Sequence, residues 1–485
     1  MLRSLLLALC LTGAAWADAP FQAADPVFPL AVQPGEAVEV NLVGPAGQAV
    51  DMAFPGGHQR LLEQASGHYR GRIRPTGSGQ VTVGSNSLGQ VDVLTGPPQQ
   101  VEVVHDRAIL RSGPTSDDER LEPLVAGVRF EVTGREGNWL RVSAGSPWTA
   151  WVNVQDVKSL DSGSSLLPSR LGGLRITEDP SGLTELHIRL ATPCAWQIHQ
   201  QVALPGQSSR VFIELPGARS TSLDIAYAQD GKRIQDAQIH PDEDGVCLEL
   251  AVNQGLWGYR TRWEKGELVL TLSAPLRADA AHPLQGVRIV IDPGHGGSDT
   301  GATGKGGTYE KTLNLACGLA LQKELTAAGA VVIMTRQDDH EVFLRDNAAA
   351  AKVSADVELQ ARVDKAEASQ GQLFVSIHHN ASPDLVAGLT AHATHVYYFT
   401  PQSHQLAESM AAPVAHAIGE PSYCARWRSF HVIRHFSMPA ILVEVDFISN
   451  PTLEQNLETR PGYAETVGRG LRQGIEDFVR TNGIK

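Results

Sequence analysis

Residues 288–297 read Arg-Ile-Val-Ile-Asp-Pro-Gly-His-Gly-Gly, and no other stretch of this chain limits its fold so tightly. The β-branched run Ile289, Val290, Ile291 suits a buried strand. Asp292-Pro293-Gly294 then ends it abruptly, because proline cannot continue a strand ladder and glycine opens a turn. Gly294, Gly296 and Gly297 can take positive φ and let the backbone pass close to another group. His295 is thereby placed at the mouth of a sheet, where open α/β folds put their ligands. A lone histidine in such a loop is more often a plain loop residue than a ligand, so its meaning depends on the residues downstream.

Beyond this loop, strands alternate with helices. A helical run from Lys311 to Ala328 offers Leu315, Leu319, Leu321 and Leu325 as an apolar face, with Gly329 as its C-cap. Strand patterns occupy residues 330–334, 373–377, 395–399 and 440–445, and helical patterns lie around 403–418 and 463–480. This alternation predicts an α/β domain over residues 285–480, with a mostly parallel sheet flanked by helices.

The preceding residues have a different texture. Short alternating runs such as 37–43 and 80–83, separated by Gly- and Pro-containing turns, predict a sandwich-like β domain over residues 18–97. Gly96-Pro97-Pro98 forms a stiff boundary. Residues 99–160 hold five short strands, which implies a small barrel. The Leu110-Arg111-Ser112-Gly113-Pro114 turn, the Trp139-Leu140-Arg141-Val142 strand and the Trp151-Val152 close resemble a bacterial SH3-like domain. Residues 161–170, rich in Ser and Gly, read as a linker. Residues 171–276 form a third β unit whose layout, including Phe212 to Ala218, resembles the AMIN domains that tether exported cell-wall amidases. The expected architecture is therefore multidomain, with three small all-β domains followed by one α/β domain.

Residues 1–17 carry Arg3, a short apolar core and an Ala-x-Ala end at Ala15 to Ala17, the pattern of a secretory signal peptide. No other segment is long and apolar enough to span a bilayer, so the mature chain is expected to have no integral membrane segment. A net charge of -13 without a Lys/Arg run argues against nucleic acid as a partner. Cys194, Cys247, Cys317 and Cys424 form no Cys-x-x-Cys pair, although Cys194 and Cys247 share one β unit and could pair in an oxidising compartment. Cys317, within a helical pattern, reads as a buried small hydrophobe.

Four ionisable residues fall at or just beyond strand ends in the α/β unit. His295 comes after the first strand, and Glu310 opens the helix after a glycine-rich loop. His378 ends the strand at 375–377, and Glu444 sits inside the apolar run 440–445. A carboxylate within an apolar strand is costly to bury unless paired or beside a metal. Two imidazoles and a carboxylate form a ligand set for catalytic zinc that leaves one position for water, and a further carboxylate can take that water's proton. This chemistry favours His295, Glu310 and His378 as ligands of a single Zn2+, with Glu444 as general base. Each residue also has a plainer reading. Glu310 alone would be an exposed first-turn residue favoured by the helix dipole, and His378 and His379 alone would be capping or core histidines.

The set Ile291 to Gly297, Tyr309-Glu310-Lys311, Ser376-Ile377-His378-His379-Asn380 and Pro439 to Asn450 resembles the zinc-dependent N-acetylmuramoyl-L-alanine amidases of the third amidase class. Thr335-Arg336, Asp339 and Leu359 to Arg362 add to the resemblance. It implies an exported peptidoglycan hydrolase, periplasmic or wall-associated, with His295, Glu310 and His378 as zinc ligands and Glu444 as the catalytic glutamate. It also implies peptidoglycan as partner and allows an envelope activator protein. Arg362 and Asn380 are candidates for orienting ligands or substrate. The chain departs from the family at His379, where alanine is usual, and at Asp446, where glycine is usual. His379 could compete for metal or only line the cleft. Residues 340–356 read as an insertion. Two other readings stay open: a wall-binding scaffold that has lost catalysis, and a zinc peptidase acting on another bond.

Overall fold

The computed structural model describes residues 21–483 apart from 107, 116–117, 119, 146–147, 162–167, 180–182, 202–207, 222–223, 228–232, 254–255, 274, 348–352, 383, 385–386, 435 and 460. The signal peptide expected at 1–17, most of the linker at 161–170 and part of the insertion at 340–356 lie outside the described residues.

From Gln22 to Ser273 the ordered elements are strands, with one 3-10 turn at Val154–Asp156. Alternation produces this: in Val38–Val43, Val40 and Leu42 point inward while Glu39 stays exposed. Residues 30–93, 101–152 and 171–272 each enclose a core of their own. The first two are joined by hydrogen bonding across Gly96-Pro97-Pro98. Leu30–Val32 pairs in parallel with Asn86–Val93 and antiparallel with Arg129–Glu136. Arg141 also grips the Glu36 carboxylate with two bonds of 2.6 and 2.7 Å. The third core lies between two packed sheets whose longer strands pair antiparallel. Cys194 and Cys247 do not pair there, and all four described cysteines are free thiols.

The C-terminal unit contains strands Arg288–Pro293 (β1), Val331–Met334 (β2), Leu373–Asn380 (β3), His395–Tyr398 (β4), Arg426–Trp427 (β5) and Ala440–Phe447 (β6). Its helices are Glu310–Ala327 (α1), Val342–Asp346 (α2), Ala355–Ala368 (α3), Pro401–Ile418 (α4), Pro451–Thr459 (α5) and Tyr463–Asn482 (α6). The sheet order is β2-β1-β3-β6-β4-β5. The first four strands run parallel, and β4 runs antiparallel to β6. α1, α4 and α6 cover one face, while α3 and the segment Val432 to Met438 cover the other. β1 and β3 are therefore buried on both sides, which is why they read as unbroken apolar runs.

The inward row of α1 differs from the expected one. Leu313, Cys317, Leu321 and Leu325 face the sheet at strict i,i+4 spacing, whereas Leu319 is exposed and Leu315 half-buried. Gly318 decides the register: a Cβ there would lie 2.7 Å from the Pro293 ring, so this side of the helix presses onto the end of β1. Gly329 comes after α1 at φ +86, as a residue terminating a helix requires.

Candidate metal centre

The loop after β1 is bent by its residues rather than by glycine alone. His295 itself holds φ +59, a left-handed conformation that costs a non-glycine residue on the order of 1 kcal/mol. Gly296 and Gly297 also lie at positive φ, +138 and +56. Gly294 does not, and it serves another purpose. A Cβ on it would fall 2.2 Å from the His378 ring, so only glycine lets that imidazole close in. Gly301 does the same on the opposite side, where a Cβ would meet Glu310 Oε2 and His295 Cδ2 at 2.6 Å.

Within this space His295, Glu310 and His378 each direct one ligand atom to a common point, all within 4.8 Å of one another. His295 Nε2 lies 3.2 Å from Glu310 Oε2, and His378 Nδ1 lies 2.9 Å from Glu310 Oε1. The other His295 nitrogen, Nδ1, is held by Asp299 Oδ2 at 2.8 Å, which fixes the ring. Burial opposes the charged form of His295, but Asp299 and Glu310 outweigh it and hold the ring up at about 9. Burial likewise opposes the ionised form of Glu310, and the two histidines overcome it and keep this carboxylate well below its ordinary range. Glu310 also accepts from the Ala302 N–H at 2.8 Å and the His379 N–H at 3.2 Å.

Glu444 stands beside this group. β6 pairs with β3 so that Glu444 lies opposite His378, and with β4 so that it lies opposite His395. Burial pushes its carboxyl up to about 7, with His378 and His295 pulling down and Glu310 pushing up. Glu444 Oε2 is buried without a hydrogen-bond partner. A cation among the three ligand atoms would answer that orphaned oxygen and the carboxylate of Glu310 together. Two imidazole nitrogens and a carboxylate oxygen are the donor chemistry of a zinc site with an open position. The residues present fit such an ion.

The remaining expected site residues lie around this centre rather than in it. His379, the neighbour of His378 on β3, points to the opposite face of the sheet. Its Nδ1 lies 2.8 Å from Asn314 Oδ1 and its Nε2 lies 3.4 Å from the Tyr463 hydroxyl, so both nitrogens are engaged away from the common point. Burial presses this imidazole down to about 4, and it is neutral at pH 7. Arg362 is buried below the loop and donates to Asp292 Oδ1 at 2.8 Å and to the His295 carbonyl at 2.7 Å. Asn380 ends β3, and its carbonyl accepts from the Ile448 N–H at 2.8 Å. Asp446 faces Glu420 and His392 rather than the paired histidines.

Several residues that shape the centre were not singled out in the sequence. Asn314 donates to Glu310 Oε1 and to the Gly294 carbonyl, both at 3.2 Å. Its signal was readable: a polar residue one turn after Glu310, on the buried side of a helix, needs internal partners. Asp299, four residues after His295, carried a similar cue. Glu454 had none. From α5 it accepts from the Gly306 and Thr308 N–H groups at 2.7 and 3.1 Å, fastening the loop that leads into α1.

Residues 289–477 match the family described as N-acetylmuramoyl-L-alanine amidase, and residues 106–158 match the bacterial SH3 domain. The uncharacterized protein YqiI of Bacillus subtilis (strain 168) is 33% identical over 211 residues, covering 44% of this chain and 93% of that protein. The N-acetylmuramoyl-L-alanine amidase LytC of the same strain is 31% identical over 203 residues, covering 41% of this chain but 37% of LytC. Among solved structures, the catalytic domain of CwlV, an N-acetylmuramoyl-L-alanine amidase from Bacillus (Paenibacillus) polymyxa var. colistinus, is 33% identical. That match covers 40% of this chain and 98% of the other, with a TM-score of 0.34.

Proposed function

Through residues 289–477 the chain belongs to the N-acetylmuramoyl-L-alanine amidase family, and on that premise we propose that it is an exported, zinc-dependent peptidoglycan hydrolase. The bond cleaved is the amide between the lactyl group of N-acetylmuramic acid and L-alanine of the stem peptide. The observation that carries this reading is the convergence of His295, Glu310 and His378 beside the unpartnered, buried Glu444 Oε2.

In this reading His295, His378 and the Glu310 carboxylate would hold one zinc ion. The chemistry zinc supplies in such a set is polarisation of a carbonyl and acidification of water. Glu444 takes the proton of the attacking water and delivers it to the leaving amine as the carbon–nitrogen bond breaks. Burial, which raises the Glu444 carboxyl, favours its taking up that proton. Asp299 and Arg362 position His295, one through the ring and one through the backbone.

The signal peptide at 1–17 would direct export, and no helix among the described residues is long and apolar enough to cross a membrane. In this reading residues 285–480 carry catalysis, and the SH3-like unit at 99–160 and the AMIN-like unit at 171–276 are candidates for wall contact. An envelope activator is a further partner in this scheme.

The test is digestion of purified sacculi by the full mature chain, with product masses read with and without a chelator. The expected product is free peptide beginning with L-alanine, lost on chelation and restored by zinc. Glu444→Gln should keep zinc and fold while losing roughly 10²–10⁴ of the rate. Internally cut peptide would instead favour a zinc peptidase. Tight binding to sacculi with no cleavage by the zinc-loaded chain would favour a scaffold, and turnover untouched by metal removal would end the zinc reading.

A further inference from the structure

We propose that His379 is a positioning residue for the Glu310 carboxylate, acting through the side chain of Asn314; the proposal rests on the reading of Glu310 as a metal ligand. The geometry fixes the direction of every hydrogen bond in the row. Asn314 Nδ2 lies 3.2 Å from Glu310 Oε1 and 3.2 Å from the Gly294 carbonyl oxygen. Both partners are acceptors only, so the amide must turn its nitrogen toward them. Asn314 Oδ1 is then left facing His379 Nδ1 at 2.8 Å, and it needs a donor. The imidazole therefore carries its proton on Nδ1, which leaves Nε2 to accept from the Tyr463 hydroxyl at 3.4 Å. Three donors thus run in one sense, from Tyr463 to His379 to Asn314 to Glu310.

His379, Asn314, Glu310 and Tyr463 are all buried, so water does not substitute for a missing member. An apolar side chain at 379 leaves Asn314 Oδ1 without its donor. The amide then gains by rotating, and rotation turns Oδ1 onto the Glu310 oxygen, acceptor against acceptor. The carboxylate loses one of the bonds that orient it, while the Ala302 N–H still reaches Oε2 at 2.8 Å and the His379 backbone N–H still reaches Oε1 at 3.2 Å. Groups that hold a metal ligand in this way typically change metal affinity by about 10–100-fold when removed. This also assigns a use to a histidine that adjoins the centre in sequence yet faces the other side of the sheet.

The experiment measures zinc affinity of the full mature chain by competition with a chromogenic chelator, together with the zinc release rate. His379→Leu keeps the bulk but removes the donor, and it is expected to weaken zinc binding by about 10–100-fold. His379→Asn places an amide nitrogen where Nδ1 stands and is expected to recover most of that loss. Asn314→Ala is expected to weaken binding to a similar degree, with His379→Leu adding little on top of it because both act on one carboxylate. Thermal melting checks that each variant is folded. Wild-type affinity in His379→Leu overturns the proposal, as does no recovery in His379→Asn or full additivity in the double variant. A wild-type chain that binds no zinc overturns the metal-centre reading beneath it, and the two failures are told apart by which protein shows them.

Discussion

Asp446 lies two residues beyond Glu444 on β6, buried, with Oδ1 accepting from the Phe447 N–H at 2.8 Å. In the sequence it read as an added charge near the reacting centre. The structure turns it toward Glu420 and His392 instead. Burial raises its carboxyl from 3.8 to about 6, and Glu420 adds to the rise. The folded state therefore binds this proton more tightly than the unfolded chain does. Such a group contributes stability that is fully present below the unfolded value of 3.8 and is lost as pH rises through about 6. The size of that loss is on the order of 2–3 kcal/mol. Asp446→Asn cannot make this loss, so its unfolding free energy relative to wild type should improve by that amount between pH 4 and pH 7.5 in urea melts. The change with pH is the test, because any fixed cost of the amide cancels from it. A difference that stays constant over this range would refute the burial argument.

α3 and the strand end it straps show what an element contributes to a site it barely enters. Arg336, two residues after β2, donates to the carbonyls of Pro293 and Gly294 at 2.8 Å each. Arg362 from α3 donates to those of Pro293 and His295 at 2.9 and 2.7 Å. Two guanidinium forks thus hold three successive carbonyls of the loop that carries His295. Arg362 also pairs with Asp292 at 2.8 Å and with Glu358 at 3.0 Å, all of them buried. Removing it would leave two buried carboxylates without their cation. Arg362→Ala is expected to cost about 3–5 kcal/mol in unfolding free energy. Arg362→Lys should recover little of this, since a point charge cannot replace a planar fork reaching several oxygens. Near-full stability of the lysine variant would show that charge alone matters there. The helix that supplies Arg362 was not recognised among the secondary-structure patterns, because the apolar row Leu359, Val363 and Ala366 of Ala355–Ala368 is narrow and set among charged residues. By contrast β1, β3 and β6 were legible, since strands buried on both faces need apolar residues at every position. His295, Glu310, His378 and Glu444 stood out in the sequence through the resemblance of their motifs, since each taken singly also had a plainer reading, and the structure brings ligand atoms of the first three within 4.8 Å of one another.

At the scale of the molecule, the sequence read as separate units with one linker at residues 161–170, and the structure packs the described units against one another. Trp257, from the third β unit, packs at a tilt against Phe478 of α6 with ring centroids 5.3 Å apart and donates its indole N–H to the Gln372 carbonyl at 2.7 Å. The SH3-like unit touches the same C-terminal domain through Arg120–Leu124. Arg120 Nη1 lies 2.6 Å from His431 Nδ1, and Arg434 Nη2 donates to the Leu121 carbonyl at 2.5 Å. Glu122 is buried at this junction, accepting from the Tyr259 hydroxyl at 3.3 Å. Burial pushes its carboxyl up to about 7, and the Arg434 guanidinium draws it down. None of this was readable beforehand, because a lone arginine in a loop looks solvated and its partner lies more than three hundred residues away. If the electrostatic attraction between Glu122 and Arg434 fastens the two domains, the two side chains must be energetically coupled. Arg434→Met in the wild-type background strands a buried carboxyl beside lost hydrogen bonds, whereas in a Glu122→Gln background no charge is left to strand. Hydrogen exchange of the amides of Arg120, Leu121, Glu122 and Leu124 reads the local opening directly, without requiring the whole chain to unfold in two states. Arg434→Met should speed that exchange by at least about tenfold more in wild type than in Glu122→Gln, a coupling of roughly 1.4 kcal/mol. Equal acceleration in both backgrounds would mean that the domains are held by apolar packing and backbone bonds alone.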